Sequence, residues 1–228
     1  MFFFFSFNPY IAIIGDLKDS KQVKEREVTQ QKLRSTLQTI NEKYAADIAS
    51  KFTITLGDEF QGLLSSGENI MAILLEIEQH IYPVRIRFGI GIGDITTDIN
   101  PELAIGADGP AYYDARSAVE YLKQNEKRKQ STPADIRIES NTEAQSTIDL
   151  LNTIFTLMAT LKGTWTSRQR QIIGDLLKHS DSQSDVAGRL DIQQSTVQKS
   201  LVSGNFYSYK EALSTIERVL GEIRREND

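Results

Sequence analysis

One stretch constrains the fold of this chain more than any other, because it has the pattern of two short strands joined by a tight turn. In residues 52–64, apolar side chains alternate with threonines at the two-residue period of a β-strand, and Gly57 follows where the chain must reverse. Glycine readily takes the positive φ that the first central position of a type II′ turn requires. The sequence therefore predicts a β-hairpin whose turn carries two acidic residues, Asp58 and Glu59.

Another acidic residue follows a second predicted strand. Residues 9–15 are mostly apolar, which is typical of a strand buried on both faces, and Asp16 comes directly after them. Two buried strands that end in carboxylates indicate a metal site, because neighbouring carboxylates repel one another unless a cation lies between them. We expect Asp16 and Asp58 to hold Mg²⁺, with Glu59 as a third ligand or as a support for the other two.

Composition limits the functions that such a site can serve. The chain has 228 residues, enough for one large domain or two modest ones, and its net charge of −5 argues against a general nucleic-acid coat. The absence of cysteine excludes disulfides, thiolate metal sites and cysteine nucleophiles, and it favours a cytoplasmic location. The apolar start, residues 1–5, is too short to span a bilayer, so we expect no membrane partner.

The remaining periodicities predict the order β-α-β-β-α-β, followed by one more helix and strand. Apolar residues at helical spacing predict helices over residues 21–44 and 68–81, and a further helix begins at Pro110. The economical fold class is α+β, with a ferredoxin-like sheet of the split βαβ type that has its helices on one face. In that fold the first strand lies beside the hairpin, which brings Asp16 and Asp58 to one end of the sheet.

Residues 84–94 are predicted to form a strand with glycine at alternate positions in its second half. Apolar side chains occupy one face, and Gly89, Gly91 and Gly93 occupy the other, where a helix, another backbone or a ligand can approach closely. Close helix packing and contact with a cofactor are both open interpretations. We count Gly91 and the turn residue Gly57 among the candidate cofactor-binding residues.

Three basic residues are candidates for contact with phosphate groups. Arg116 lies four residues after Tyr112, so its guanidinium would project from the rim of the third helix toward the edge of the sheet, and a solvated arginine is the alternative. Lys18 and Lys21 lie near the start of the first long helix, whose free amides already favour anions. We expect both lysines to contact a bound nucleotide.

The acidic strand ends, the glycine strand and residues 112–116 together resemble the palm-type catalytic domain of class III nucleotide cyclases and GGDEF diguanylate cyclases. The resemblance implies that Asp16 and Asp58 hold two Mg²⁺ ions on a nucleoside triphosphate, and that Arg116 has a catalytic role at the phosphates. As a whole, the chain is similar to the SatD family of bacterial proteins.

Two residues depart from the cyclase pattern. Tyr112 stands where cyclases have the asparagine that partners the helix arginine, and Ile54 stands where they have a base-selecting lysine or glutamate. These departures favour nucleotide binding without cyclisation, whereas the intact acidic pair favours catalysis. If no metal is bound, replacing Asp16 or Asp58 with asparagine is expected to leave stability unchanged or slightly raised, because repulsion between carboxylates is relieved.

A second, helical unit is predicted for residues 141–228, after the cyclase-like α+β domain of residues 1–140. Residues 164–203 resemble the helix-turn-helix of response-regulator and sigma-factor DNA-binding domains. The third of its helices begins near Gln194, and the residues expected to reach DNA are Gln194, Ser195, Gln198 and Lys199. Acidic and basic residues balance after residue 163, which argues for the alternative of a packing or dimerisation module.

Two classes of function follow from these features. The first is a Mg²⁺-dependent protein that binds a nucleoside triphosphate, with nucleotidyl-transfer or cyclase-like activity and a helical accessory domain. The second is a DNA-binding regulator whose palm-like domain senses a nucleotide without turnover. The last helix, predicted over residues 208–225, has a long apolar stripe that we expect to be a partner surface, for example in a homodimer.

Overall fold

The structure, a computed structural model, describes residues 5, 8–18, 26–55, 57–128, 134–142 and 144–225. Lys21 and most of the apolar start therefore lie outside the described residues. Five strands form one sheet, and they are β1 (Tyr10–Leu17), β2 (Ile48–Ile54), β3 (Glu59–Leu64), β4 (Ile86–Gly93) and β5 (Ile136–Glu139). Their order across the sheet is β2-β3-β1-β4-β5, and only the pair β4 and β5 is parallel.

This order confirms the predicted α+β fold with a ferredoxin-like sheet. β1 lies in the middle and pairs with β3 of the hairpin on one side and with β4 on the other. Its residues are almost all apolar because both faces of a central strand are covered. In the hairpin turn, Gly57 has the positive φ of +63° that the sequence predicted.

Helices cover both faces of the sheet, whereas the sequence analysis placed them on one. The helices of the described residues are α1 (Arg26–Lys43), α2 (Ile70–Ile81), α3 (Pro110–Glu126), α4 (Gln145–Gly163), α5 (Ser167–His179), α6 (Gln183–Arg189), α7 (Gln194–Ser203) and α8 (Phe206–Leu220). Ile11 and Ile13 of β1 face the main core with α1 and α2, whereas Ala12 and Ile14 face α3 on the other side. None of these helices has the length and apolar character that a membrane crossing requires.

The glycines of β4 explain how α3 fits on its face of the sheet. A β-carbon at Gly89 would lie 2.1 Å from the carbonyl oxygen of Ala115, and one at Gly91 would lie 1.9 Å from that of Ala111. Side chains at these positions would push the helix away from the strand. Close helix packing, one of the two interpretations left open by the sequence, is therefore what the glycines serve.

The main core also includes helices from the predicted second unit. Phe155 of α4 and Ile216 and Leu220 of α8 are buried in the same cluster as the side chains of β1 and α2. The predicted boundary at residue 141 thus separates segments that share one core. The apolar stripe of the last helix is buried here, so its prediction as an exposed partner surface is wrong.

Three of the later helices, α5, α6 and α7, have a small core of their own. Ile172, Val186 and Val197 are buried together, one from each helix. Two helices begin with capping boxes, in which Thr166 caps α5 and Ser182 caps α6. The third helix begins at Gln194, as the sequence predicted.

Candidate functional site

The ends of three strands bring the predicted acidic residues together. Asp16 lies opposite Glu59 of β3 and opposite Arg87 of β4. Residues opposite one another in antiparallel strands point to the same face, which here is the face covered by α3. The backbone nitrogen of Leu17 donates a hydrogen bond to the carbonyl oxygen of Asp58 at 3.0 Å. Asp16 and Asp58 therefore lie at adjacent strand ends, as expected.

The carboxylate of Asp16 is neutralised by cations of the chain itself. Nη1 of Arg87 lies 2.6 Å from Oδ2 of Asp16, and Nζ of Lys123 lies 3.1 Å from Oδ1. Burial would lower the pKa of Lys123, but its contact with Asp16 outweighs burial and raises the pKa, so the lysine keeps its charge. The repulsion expected between carboxylates is thus already offset without a metal ion.

A second basic residue of α3 reaches the same edge. Nη1 of Arg116 lies 3.3 Å from Oε1 of Glu59, and the Arg116 side chain is 56% exposed. The side chain of Lys123, two helical turns further on, is 31% exposed. α3 therefore presents two cations along the acidic edge, and the contact of Arg116 is long enough to yield to a stronger anion. We name Asp16, Glu59, Arg116 and Lys123 the α3 edge site.

The α3 edge site has the type of ligand that Mg²⁺ prefers, but its carboxylates are already paired with basic side chains. Mg²⁺ prefers carboxylate oxygens, which Asp16 and Glu59 carry. Both carboxylates are paired with Lys123 and Arg116, and the described residues contain no group of three acidic or histidine side chains arranged to hold a metal. A metal ion would have to replace at least one of these cations.

Lys18, predicted to contact phosphate, is buried and belongs to an ion-pair network. Its Nζ lies 2.9 Å from Oδ1 of Asp135, which Lys162 also contacts at 3.1 Å. Nζ of Lys162 in turn lies 2.6 Å from Oε1 of Glu78 on α2. With both lysines and the Asp135 carboxylate buried, Lys18 is committed to structure and is not positioned to meet a ligand.

Opposite charges in this network offset the effect of burial on one another's pKa values. Burial would raise the pKa of Asp135, but the positive charges of Lys162, Lys18 and Arg85 outweigh burial and hold the pKa well below its usual range. Burial would lower the pKa of Lys162, and the charges of Glu78 and Asp135 raise it instead. Asp135 and Lys162 therefore both stay ionised at neutral pH.

Three further residues singled out in the sequence have structural roles. The space beside Gly91 is filled by the backbone of α3, which corrects its assignment as a cofactor contact. The carbonyl oxygen of Gly57 accepts a hydrogen bond from Nε2 of Gln30 at 2.8 Å, which ties the hairpin turn to α1. Tyr112 is buried on the sheet side of α3, and burial raises the pKa of its hydroxyl.

The polar face of α7 is open to solvent. Four side chains expected to reach DNA are exposed, and they are Gln194, Ser195, Gln198 and Lys199. Nε2 of Gln183, at the start of α6, donates to Oε1 of Gln198 at 2.6 Å. Val197 and Leu201 point inward and anchor the helix. This face of α7 is therefore open to solvent except at Gln198, which accepts hydrogen bonds from Gln183 and Tyr207.

Sequence reasoning missed Arg87, Lys123 and Asp135 as members of the charged clusters. Arg87 could have been found, because it alternates with apolar residues on β4 and so shares the face of Gly89. Lys123 follows Arg116 by seven residues, which puts both on one side of a helix. Asp135 precedes a short strand and gives no such signal.

The fold and the charged edge define a class of protein, a ferredoxin-like α+β chain with a helical extension that packs into the same core. The SatD family model matches residues 10–217, and the chain belongs to that family. A comparison with curated proteins finds no significant match.

Several solved structures are similar to part or most of the chain. A bacterial light-regulated adenylyl cyclase has 14% identity and a TM-score of 0.42, and the match covers 57% of this chain and 74% of that one. The guanylate cyclase domain of RhGC from Catenaria anguillulae, in complex with GTP, has 16% identity, coverage of 48% and 71%, and a TM-score of 0.36. A regulator of polyketide synthase expression from Bifidobacterium adolescentis has 12% identity, coverage of 92% and 84%, and a TM-score of 0.27.

Proposed function

We propose that this chain binds a nucleoside triphosphate, with the phosphates at the α3 edge site. The observation that carries the proposal is that Arg116 and Lys123 reach one acidic edge of the sheet from the same helix. Phosphate groups are bound by such cations, and arginine can contact them through two nitrogens at once. The resemblance of the acidic strand ends and Arg116 to cyclase motifs supports a nucleotide as the source of the phosphates.

Binding would proceed by exchange of ion pairs. Without ligand, Lys123 pairs with Asp16 and Arg116 pairs with Glu59, and the two cations are partly exposed, so a stronger anion can reach them. A triphosphate would take over Lys123 and Arg116, while Arg87 stays paired with Oδ2 of Asp16, so the carboxylate of Glu59 and Oδ1 of Asp16 become available to Mg²⁺. The metal ion would neutralise phosphate charge. We therefore expect Mg²⁺ and triphosphate to strengthen one another's binding.

Binding without turnover is the form of this function that the residues favour. Tyr112 stands where the cyclase resemblance expects an asparagine that partners the helix arginine, and its side chain is buried under α3. It faces Ala12 and Ile14 of the sheet rather than the solvent at the edge. In this proposal Arg116 and Lys123 hold the phosphates, and Tyr112 does not give Arg116 the partner that the cyclase resemblance expects for catalysis.

Replacing Arg116 with glutamine should weaken Mg²⁺-triphosphate binding by at least about tenfold, because one charge-assisted phosphate contact is lost. Stability should change little, since the contact of Arg116 with Glu59 is exposed and long. Titration calorimetry with ATP and GTP measures the affinity. Arg168→Gln is the matched control, because Arg168 is an exposed arginine on α5. Equal affinities of the wild type and Arg116→Gln would remove the α3 edge site from the proposal.

A second candidate function is DNA binding by a helix-turn-helix formed by α5, α6 and α7. The observation that favours it is the exposed polar face of α7, which follows α6 after the four residues 190–193. Gln194 and Gln198 carry the amide groups that can read bases, and Lys199 can contact a phosphate. In this function the nucleotide would act as a signal to the DNA-binding helices.

Lys199→Gln should lower DNA affinity for all sequences and reduce the slope of log K against log salt by about 1. Fluorescence anisotropy of duplexes selected from a random pool, measured over a range of salt concentrations, gives both quantities. Lys210→Gln removes the same charge from an exposed position of α8 and should leave the slope unchanged. If the wild type binds no duplex even at low salt, α7 is not a DNA-reading helix.

A further inference from the structure

A cavity of about 370 Å³ lies between the sheet side of the molecule and the later helices. Its lining includes Tyr82, which directly follows α2, Arg170 and Lys178 of α5, Lys162 of α4 and Tyr209 of α8. Its volume is within the range of small-molecule sites. The α3 edge site shares no residue with it, so the cavity is a separate feature of the molecule.

Aromatic side chains form much of the wall. The rings of Trp165 and Tyr209 meet edge to face with centroids 4.9 Å apart, and Tyr82, just after the end of α2, is partly exposed. The guanidinium of Arg170 lies 5.7 Å from the ring centroid of Tyr82 and 5.9 Å from that of Trp165. This arrangement places flat apolar surfaces beside a positive charge, and it is therefore complementary to an aromatic ring that carries an acidic group.

The cavity has an excess of positive charge. Its two acidic residues are already neutralised, since Glu78 pairs with Lys162 and Asp175 pairs with Arg189. Arg170 and Lys178, by contrast, form no ion pair with any described residue. Two cations without an acidic partner at the wall of an apolar cavity favour an anionic ligand over a neutral one.

From these observations we propose that the cavity binds a small aromatic carboxylate. The ring lies among Trp165, Tyr82 and Tyr209, and the carboxylate meets Arg170 and Lys178. Such a ligand contacts both the end of α2, on the sheet side, and α5 of the three-helix unit. These two helices are already joined by a hydrogen bond from Nε2 of Gln79 to the carbonyl oxygen of Gly174 at 3.0 Å. It therefore stabilises one arrangement of the two parts, and this site does not depend on nucleotide binding.

Trp165 is the only tryptophan of the chain, so its indole N–H gives a single signal in a ¹H–¹⁵N NMR spectrum. Titration of 2-naphthoate should shift this signal in a saturable way at millimolar concentration or below. Two matched probes separate the contributions of charge and ring, namely 2-naphthamide, which lacks the charge, and cyclohexanecarboxylate, which lacks the aromatic ring. Both should bind at least about tenfold more weakly than 2-naphthoate.

Variants test the two cations. Lys178→Gln should weaken 2-naphthoate binding several-fold without loss of folding, because Lys178 is exposed, and Arg170→Gln should weaken it by about tenfold. Arg168→Gln, on the same helix and outside the cavity, should have no effect. The proposal is overturned if the Trp165 signal does not shift with 2-naphthoate, if the amide binds as well as the carboxylate, or if Lys178→Gln binds like the wild type.

Discussion

Replacement of Gly91 by alanine is expected to lower the free energy of unfolding by about 3 kcal/mol. A β-carbon at this position would lie 1.9 Å from the carbonyl oxygen of Ala111 and 2.4 Å from the backbone nitrogen of Ala115. Both atoms belong to the backbone of α3, which cannot rotate aside as a side chain can. The helix must therefore move away from the sheet and lose part of its packing. Urea unfolding followed by circular dichroism measures the loss.

The same substitution at Gly188 serves as the control. Gly188 lies in α6, and a β-carbon there would meet no atom within 4 Å. Alanine is the better helix former, so Gly188→Ala should leave the free energy of unfolding unchanged or raise it by up to about 1 kcal/mol. A Gly91→Ala variant as stable as the wild type would mean that α3 does not pack over β4 in the way described.

Replacement of Asp135 by asparagine should lower the free energy of unfolding by about 2 kcal/mol, because the buried charges of Lys18 and Lys162 each lose one of two carboxylate partners. The carboxylate is buried, and it contacts Lys18 at 2.9 Å, Lys162 at 3.1 Å and Arg85 at 2.8 Å. The asparagine side chain has nearly the same shape but no charge, so Lys18 keeps only Glu126 as an acidic partner and Lys162 keeps only Glu78. Thermal and urea unfolding at neutral pH measure the effect.

Arg85→Gln is the matched control, since it removes one partner of the same carboxylate from an exposed position. The Arg85 side chain is 57% exposed, so its loss should cost at most about 1 kcal/mol. If this control loses about 2 kcal/mol or more, on the order of a buried pair, then the contacts of Asp135 with the two lysines do not account for its contribution to stability.

The cost of the Asp135 substitution should depend on pH. The surrounding cations lower the pKa of Asp135 in the folded protein, so its stabilising contribution is fully present above the unfolded pKa of about 4. The contribution is lost as the pH falls below that value toward the folded pKa. The stabilities of the wild type and Asp135→Asn should therefore converge in acid, and a difference that stays constant with pH would exclude this explanation.

Much of the fold was predictable from the sequence because its signals are local. The apolar run of β1 indicated a strand covered on both faces, and the alternation in residues 52–64 with Gly57 indicated the hairpin. Together they implied that the first strand pairs with the hairpin, which fixes the position of Asp16 beside Glu59.

What the sequence did not predict depends on contacts between distant residues. The alternation of glycines in β4 could serve a helix or a ligand, and only the position of α3 distinguishes the two. The burial of the apolar stripe of α8 depends on the surface that α2 offers, so periodicity alone could not tell a core face from a partner surface.

The candidate site also differs from its prediction because of contacts between residues that are distant in the sequence. From the sequence, Asp16→Asn was expected to relieve repulsion between carboxylates and leave the protein as stable as before. Because Asp16 is held by Arg87 and Lys123, from two different elements, the same change now removes two favourable contacts. Long basic side chains reach across several residues, and their partners follow from the fold rather than from sequence spacing.

The central claim, that the α3 edge site exchanges its internal ion pairs for a Mg²⁺-triphosphate, is tested most directly by titration calorimetry on the unmodified protein. ATP and GTP are each titrated with Mg²⁺ and with a chelator in place of the metal. We expect saturable binding of at least one triphosphate, tightened at least about tenfold by Mg²⁺. No binding of either triphosphate under both conditions would contradict the claim.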